Sequence, residues 1–295
     1  MRIAVAGARG QLGAALVHEL APAHETIALG RAELDIANDR AVSAAMAKFA
    51  PDVVINCAGY NDVDGAEDHP VDALNANAFP ARAFAHAAAA RGAVFVQYSS
   101  DFVFDGTKTE PYTEEDRPNP RSVYAASKLL GEWFAADAPR SYVLRVESLF
   151  GQAPGGPEPK GSIGAMVKKL LAGEDVVAFA DRTVSPTYIL DAARATRLLL
   201  ESNAAPGLYH CVNSGSGTWL ELARELANRL GVAANLVPKQ FADVKLRAAR
   251  PQYCALSNGK LHAAGVAMPD WRDALGRYLQ TLRSEPADQL SHRQA

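Results

Sequence analysis

Short, wholly apolar runs alternate with alanine-rich amphipathic stretches through the first half of the chain. Residues 3–6, 26–29, 53–57, 94–98 and 142–146 read as strands, and 11–20, 40–49, 70–91 and 123–134 as helices, with a break expected near Pro80. The strands are apolar throughout rather than alternating, the pattern of a parallel sheet buried on both faces. Strand–helix alternation predicts an α/β fold with a doubly wound sheet.

The rhythm changes after Phe150. Residues 152–162 are rich in Pro and Gly and read as a loop able to move over a site. Helices are expected at 163–172, 188–202, 218–230 and 268–282, with a short strand at 208–212. Thr218 followed by Glu221 is a capping box. The expected division is 1–150 plus about 184–205 for the sheet domain, and 151–183 plus about 206–283 for a smaller C-terminal substrate-binding domain. Residues 284–295 are polar and patternless, and a disordered tail is expected there.

Composition narrows the function. A net charge of −3 gives no basic excess for nucleic acid or an anionic membrane. The apolar run at the N-terminus breaks at Gly7, too early for a signal segment, and no run is long enough for a membrane helix. Cys57, Cys211 and Cys254 are far apart and odd in number, so neither a disulfide framework nor a CxxC metal site is expected. These features predict a cytoplasmic protein. Trp133, Trp219 and Trp271 lie in helical stretches and are expected to pack.

The first strand runs into Gly7-Ala8-Arg9-Gly10-Gln11-Leu12-Gly13 and then a helix. One glycine permits the turn, one lets backbone approach a pyrophosphate, and one lets helix pack on strand. The helix N-terminus then presents free N–H groups to phosphate. Gly7, Arg9, Gly10, Gln11 and Leu12 are the candidate phosphate-side residues, and the sheet is expected to be of Rossmann type. The second strand ends Ala28-Leu29-Gly30-Arg31 without an acid for a ribose 2′-OH. Arg9 and Arg31 instead suit a 2′-phosphate, so NADPH is the expected cofactor, with NADH also usable. Asp35 and Ile36 are placed at the edge of the adenine pocket. Ala58, Gly59 and Tyr60 follow the third strand, where small residues let a cofactor lie on the backbone.

Tyr124 and Lys128 share a helix face. An ammonium near a phenol favours phenolate, and a tyrosine so tuned can protonate a carbonyl oxygen as hydride reaches its carbon. Lys128 is also placed to hold the nicotinamide ribose. Ser99, at the cofactor, and Ser100, at the substrate oxygen, end the 94–98 strand at the ligand-binding edge of the sheet.

The chain resembles the extended short-chain dehydrogenase/reductases, and within them the dTDP-4-dehydrorhamnose reductase family. The resemblance rests on Gly7–Gly13, Glu33-Leu34-Asp35-Ile36, 53–58 with Tyr60, Val63-Asp64 and Ala66-Glu67. It continues through Ser99–Gly106, Tyr124–Lys128 with Gly131-Glu132, Ser185–Tyr188, Arg250-Pro251 with Leu256, and Pro269–Trp271. It implies reduction of the C4 ketone of dTDP-4-dehydro-6-deoxy-L-mannose to dTDP-L-rhamnose, for cell-surface polysaccharide. By carry-over, Tyr124 is the proton donor, Lys128 its partner and Ser100 the third member. Asp101, Phe102, Ser148 and Arg182 border the nucleotide-sugar, and a homodimer is compatible with the family.

Some positions depart from that pattern. Phe102 replaces a usual tyrosine, Asn61 a threonine, and Ser148 a tryptophan of the sugar pocket. Ala14 and Ala15 stand where some members have a glutamate that holds Mg²⁺, so no metal is expected. Three other readings compete: a reductase of a different 4-ketosugar nucleotide, an epimerase or dehydratase, and a non-catalytic NADP-binding subunit. Phe102 directly after Asp101 removes the usual dehydratase acid–base pair, and the intact Ser100, Tyr124 and Lys128 favour catalysis.

Overall fold

The computed structural model describes residues 1–202 and 204–284. Six strands form its main sheet: β1 (Arg2–Ala6), β2 (Glu25–Leu29), β3 (Val53–Asn56), β4 (Val94–Ser100), β5 (Ser141–Val146) and a sixth, Gly207–His210. Their spatial order is sixth–β5–β4–β3–β1–β2, and every pairing is parallel. The order reverses between β1 and β3, which opens a crevice at their carboxyl ends.

Side-chain alternation explains the two covered faces. Ile3, Val5, Val53, Ile55, Val94 and Val96 point to one face, where they pack with Leu12 and Leu16 of α1 (Gln11–Leu20). Ala4, Ala6, Val54 and Phe95 point to the other, against Val42, Met46 and Phe84. Helix Ile189–Glu201 lies beside α1, and Tyr98 and Thr196 share a buried hydrogen bond of 2.6 Å between their hydroxyls.

A separate apolar core occupies the C-terminal half, where Ile163, Val167, Leu222, Leu226, Trp271 and Leu275 meet. Its strands are short. Val176–Phe179 pairs with Leu236–Lys239, Thr183–Val184 with Gly217–Thr218, and Leu149–Phe150 with Thr187–Tyr188. None was expected, because these short runs stand outside the regular strand–helix alternation that marked the first half.

Other boundaries moved for local reasons. The 70–91 stretch is two helices, Pro70–Asn77 and Phe79–Ala89, parted at Ala78. Pro80 sits in the first turn of the second, where its missing N–H costs nothing. β4 runs past Tyr98 because β5 pairs it to the end, with Ser99 opposite Arg145 and Ser100 opposite Val146. The last helix starts at Trp271 and reaches Ser284; the rest of the expected tail, 285–295, lies outside the described residues. The capping box at Thr218 and Glu221 is present. Trp219 and Trp271 are buried, whereas Trp133 projects 64% exposed, so packing does not account for it.

Candidate active site

The crevice between β1 and β3 is lined by backbone. Gly7 has φ +79°, and a Cβ there would stand 2.6 Å from the Ala58 nitrogen. A Cβ on Gly13 would overlap the Gly7 carbonyl oxygen. Gly10 caps α1 without a side chain, so the first N–H groups of the helix have no side-chain acceptor. This bare, glycine-lined helix start fits a dinucleotide pyrophosphate. Leu12 is itself buried in the sheet core and offers only its backbone.

Gln11 has a role the sequence did not show. Its Nε2 donates to the Gly151 carbonyl at 2.8 Å, and its Oε1 accepts from the Lys160 N–H at 3.3 Å. The Pro/Gly-rich loop is thereby tied to the phosphate end of α1.

The end of β2 carries an acid after all. Glu33 accepts the Gly30 N–H at 2.8 Å and pairs with Arg9 at 2.8 Å. Arg9 is 77% exposed at its side chain, so this pair is screened by water. A 2′-phosphate would compete with Glu33 for the guanidinium. Arg31 is exposed nearby, the Asp35 carboxylate accepts the Ala37 N–H, and Ile36 packs at the margin of the sheet core.

Asn77 joins the two sides of the crevice. Its Oδ1 accepts the Tyr60 N–H at 2.8 Å, and its Nδ2 donates to the Tyr60 carbonyl at 3.0 Å and the Ser127 hydroxyl at 2.9 Å. Ser127 in turn donates to the Tyr124 carbonyl. The Ala58-Gly59-Tyr60 turn is thus fixed to the helix Val123–Ala135 that carries Tyr124 and Lys128. Ser122 caps that helix and Glu67 accepts the Val123 N–H, which sets where Tyr124 begins. A single buried asparagine inside an alanine-rich helix was the only sequence signal for this link.

Ser100 and Tyr124 lie close together, near enough for the Ser100 hydroxyl to bear on the Tyr124 phenol. Burial pushes the Tyr124 phenol up to about 12; the Ser100 hydroxyl opposes that rise and the Asp101 charge adds to it. The expected lowering by Lys128 is absent. Its ammonium donates instead to the Tyr98 carbonyl at 2.8 Å, and burial brings Lys128 down to about 8. Lys128 and Tyr124 share a helix, but the amine bonds to the β4 backbone. Ser99 is buried beside them, its hydroxyl without a hydrogen-bond partner.

Phe102 meets Tyr124 edge-on, ring centres 5.5 Å apart, and the Arg182 guanidinium lies over the Phe102 ring at 5.8 Å. Behind them four polar side chains are sealed from solvent: Asp101, Glu147, Arg182 and Cys254. Ser100 donates to Asp101 Oδ1 at 2.8 Å, and Glu147 Oε2 accepts the Ser185 N–H at 2.7 Å. Burial raises Asp101 to about 6 and lifts Glu147 well above the usual carboxylate range. Glu147 and Cys254 were not read as site residues, because each reaches Asp101 only through the fold, from segments far away in sequence. Ser148 follows at φ +44°, a backbone conformation unusual for serine.

Arg182 also lines a cavity of about 240 Å³ in the C-terminal half, with Met166, Lys169, Val177, Phe179 and Trp219. Its Nε donates to the Pro251 carbonyl at 3.0 Å, so the guanidinium is held between this cavity and the Tyr124 site.

Comparison with known proteins agrees with this architecture. Residues 1–284 match the family model described as the RmlD substrate binding domain. The dTDP-4-dehydrorhamnose reductase of Streptomyces griseus is 36% identical over 281 residues, which is 92% of this chain and 90% of that one. A probable dTDP-4,6-dihydroxy-2-methyloxan-3-one 4-ketoreductase of Streptomyces antibioticus is 34% identical, covering 93% of each. The structure of dTDP-4-dehydrorhamnose reductase from Bacillus anthracis in complex with NADP superposes with a TM-score of 0.89 at 31% identity, over 95% of this chain and 99% of that one. The chain belongs to the RmlD family, and with it to the NAD(P)H-dependent oxidoreductases of nucleotide-sugar biosynthesis.

Proposed function

We propose that this protein uses NADPH to reduce the C4 ketone of dTDP-4-dehydro-6-deoxy-L-mannose, giving dTDP-L-rhamnose. The observation that carries the reading is the Ser100–Tyr124 hydroxyl pair at the carboxyl end of β4, beside the glycine-lined crevice. Relatives that span nearly the whole chain are dTDP-4-dehydrorhamnose reductases, which supports the substrate. The NADP in the Bacillus anthracis relative supports the cofactor.

Gly7, Gly10, Gln11 and Leu12 offer backbone to the pyrophosphate. Arg9 and Arg31 receive the 2′-phosphate, with Asp35 and Ile36 at the adenine. Ala58, Gly59, Tyr60 and Ser99 border the nicotinamide side, and Lys128 holds its ribose. When bound, NADPH supplies the hydride for the ketone carbon. Ser100 holds the ketone oxygen and Tyr124 gives it a proton. A phenol kept protonated by burial suits a proton donor. Phe102 and Ser148 shape the sugar pocket, and Arg182 faces the substrate diphosphate from the cavity rim. Residues 1–150 with about 184–210 form the cofactor domain, because the strand Gly207–His210 pairs with β5 and carries its sheet past the expected boundary at 205, and 151–183 with about 211–283 form the substrate domain.

Product analysis tests this. Incubation with dTDP-4-dehydro-6-deoxy-L-mannose and NADPH is expected to yield dTDP-L-rhamnose, identified by its proton couplings at C4. The C4 epimer as product would overturn the assigned stereochemistry. One observation favours a second reading, a different 4-ketosugar substrate. Phe102 and Ser148 alter the pocket, and the Streptomyces antibioticus relative is named for another dTDP-linked ketone. Faster turnover of that ketone would select it.

A further inference from the structure

The buried carboxyls behind Ser100 have no part in the chemistry above. Asp101 Oδ2 and Glu147 Oε1 are both sealed from water and both lack a hydrogen-bond partner. One carboxylate oxygen of each lies within 4.8 Å of the other and of the Cys254 sulfur. Arg182 is the cation beside them, and its Nη2 sits 3.6 Å from that sulfur. Two ionised carboxylates against one guanidinium would leave a net negative charge and two unsatisfied acceptors in a dry interior, a costly state. One proton between the carboxyls removes both problems, because it neutralises one group and gives the other a donor.

We propose that Asp101 and Glu147 share one proton at neutral pH and pass it through the Ser100 hydroxyl to Tyr124 after each reduction. This inference rests on the reductase reading. The transfer balances. Tyr124 gives its proton to the alkoxide oxygen formed as hydride arrives. The phenolate takes the Ser100 proton, and Ser100 takes one from Asp101. The pair is left doubly ionised and regains a proton from water by the same path in reverse, through Tyr124 and Ser100, once product leaves. Ser100 donates to Asp101 Oδ1 and lies close to Tyr124, so a rotation of its hydroxyl carries the proton from the carboxyl side to the phenol side. Asp101 and Glu147 act through Ser100 and are positioning residues for the proton.

The groups facing the pair are Ser100 and Tyr124 from the sheet edge and its helix, Arg182 and the Ser185 N–H from the 182–185 segment, and Tyr253 and Cys254 from the C-terminal half. Burial raises the proton affinity of both carboxyls, the Asp101 charge raises that of Glu147 further, and Arg182 lowers both. A form that must be protonated is lost as pH rises. Turnover is therefore expected to decline through the upper pKa of the pair.

Two readouts test the proposal. Infrared difference spectra of the protein alone, at pH 7 and at higher pH, are expected to show a protonated carboxylic acid band that Glu147→Gln removes. Its absence in the unmutated protein overturns the proposal. So does a stoichiometric divalent metal in the purified protein, because carboxyls that ligate a metal carry no such proton. In turnover with the ketosugar, Glu147→Gln and Asp101→Asn are expected to lower kcat about a hundredfold at pH 7. The alkaline decline of kcat should flatten, with NADPH affinity retained. A merely structural role would lower kcat equally at all pH values and keep the profile. If Asp101→Asn fails to fold, Glu147→Gln, which preserves shape, decides alone. Unmutated protein that shows the band and binds NADPH yet reduces no ketosugar sinks the reductase reading and the delivery step together. Turnover without the band sinks only the shared proton.

Discussion

The crevice at Gly7 and the pocket at Arg182 adjoin the same sheet edge and are made in opposite ways. The crevice presents backbone: glycines, a bare helix start and the Ala58-Gly59 turn. The pocket is lined by side chains, with Arg182 at its rim, and Asp101, Glu147 and Cys254 lie buried beside that guanidinium. Recognition by backbone needs side chains to be missing at fixed local spacings. Recognition by buried charge needs side chains gathered from distant segments, each neutralised by the others. Substitutions in the two regions are therefore expected to separate cofactor binding from turnover and from stability.

The largest effect should come where the regions meet. Tyr124→Phe removes the proton donor and is expected to cut kcat by about 10²–10⁴ while NADPH binding, read by fluorescence, holds. Parallel loss of NADPH affinity would instead make Tyr124 a cofactor-site residue.

Trp271 sharpens the contrast in stability. It is 1% exposed in the C-terminal core, its indole N–H has no partner, and its ring packs beneath Gly215 and Gly217. Trp271→Ala is expected to cost about 3–5 kcal/mol in urea unfolding. Protein that remains folded should still bind NADPH, since the crevice is built by the other half.

Lys128 provides a pH signature in the sheet half. Burial lowers it to about 8 from an ordinary 10.5, so the unfolded chain holds more protons between those values. Its contribution makes stability rise as pH climbs through that window. Lys128→Met is expected to remove this rise, as measured by urea midpoints across the range; an unchanged rise would assign it to another group.

The smallest effect concerns Glu33. Freed from it, Arg9 meets the 2′-phosphate without a competitor, so Glu33→Gln is expected to tighten NADPH about two- to fivefold and leave NADH little changed. Equal change for both cofactors would place Glu33 outside specificity.

The same contrast explains what the sequence disclosed. The sheet, α1, the glycine loop and the Ser100, Tyr124, Lys128 set were legible because each is local: a run, a spacing or a helical repeat. The Arg9–Glu33 pair was misread, since the absence of an acid was judged at the strand end and Glu33 folds back to Gly30 from the following turn. Glu147 was missed because β5 delivers it beside Asp101 across 46 residues of sequence. Asp101 followed by Phe102 looked like a lone carboxyl, yet the second one comes from another strand end. Lys128 was read as sharing a helix face with Tyr124, but only tertiary structure shows the Tyr98 carbonyl that accepts its hydrogen bond.

The most direct measurement is NADPH oxidation by the unmutated protein with dTDP-4-dehydro-6-deoxy-L-mannose generated in place by its upstream epimerase. Steady loss of the NADPH absorbance that requires the ketosugar is the predicted result. Tight NADPH binding with no oxidation would contradict the account and favour a cofactor-binding protein that does not reduce this sugar.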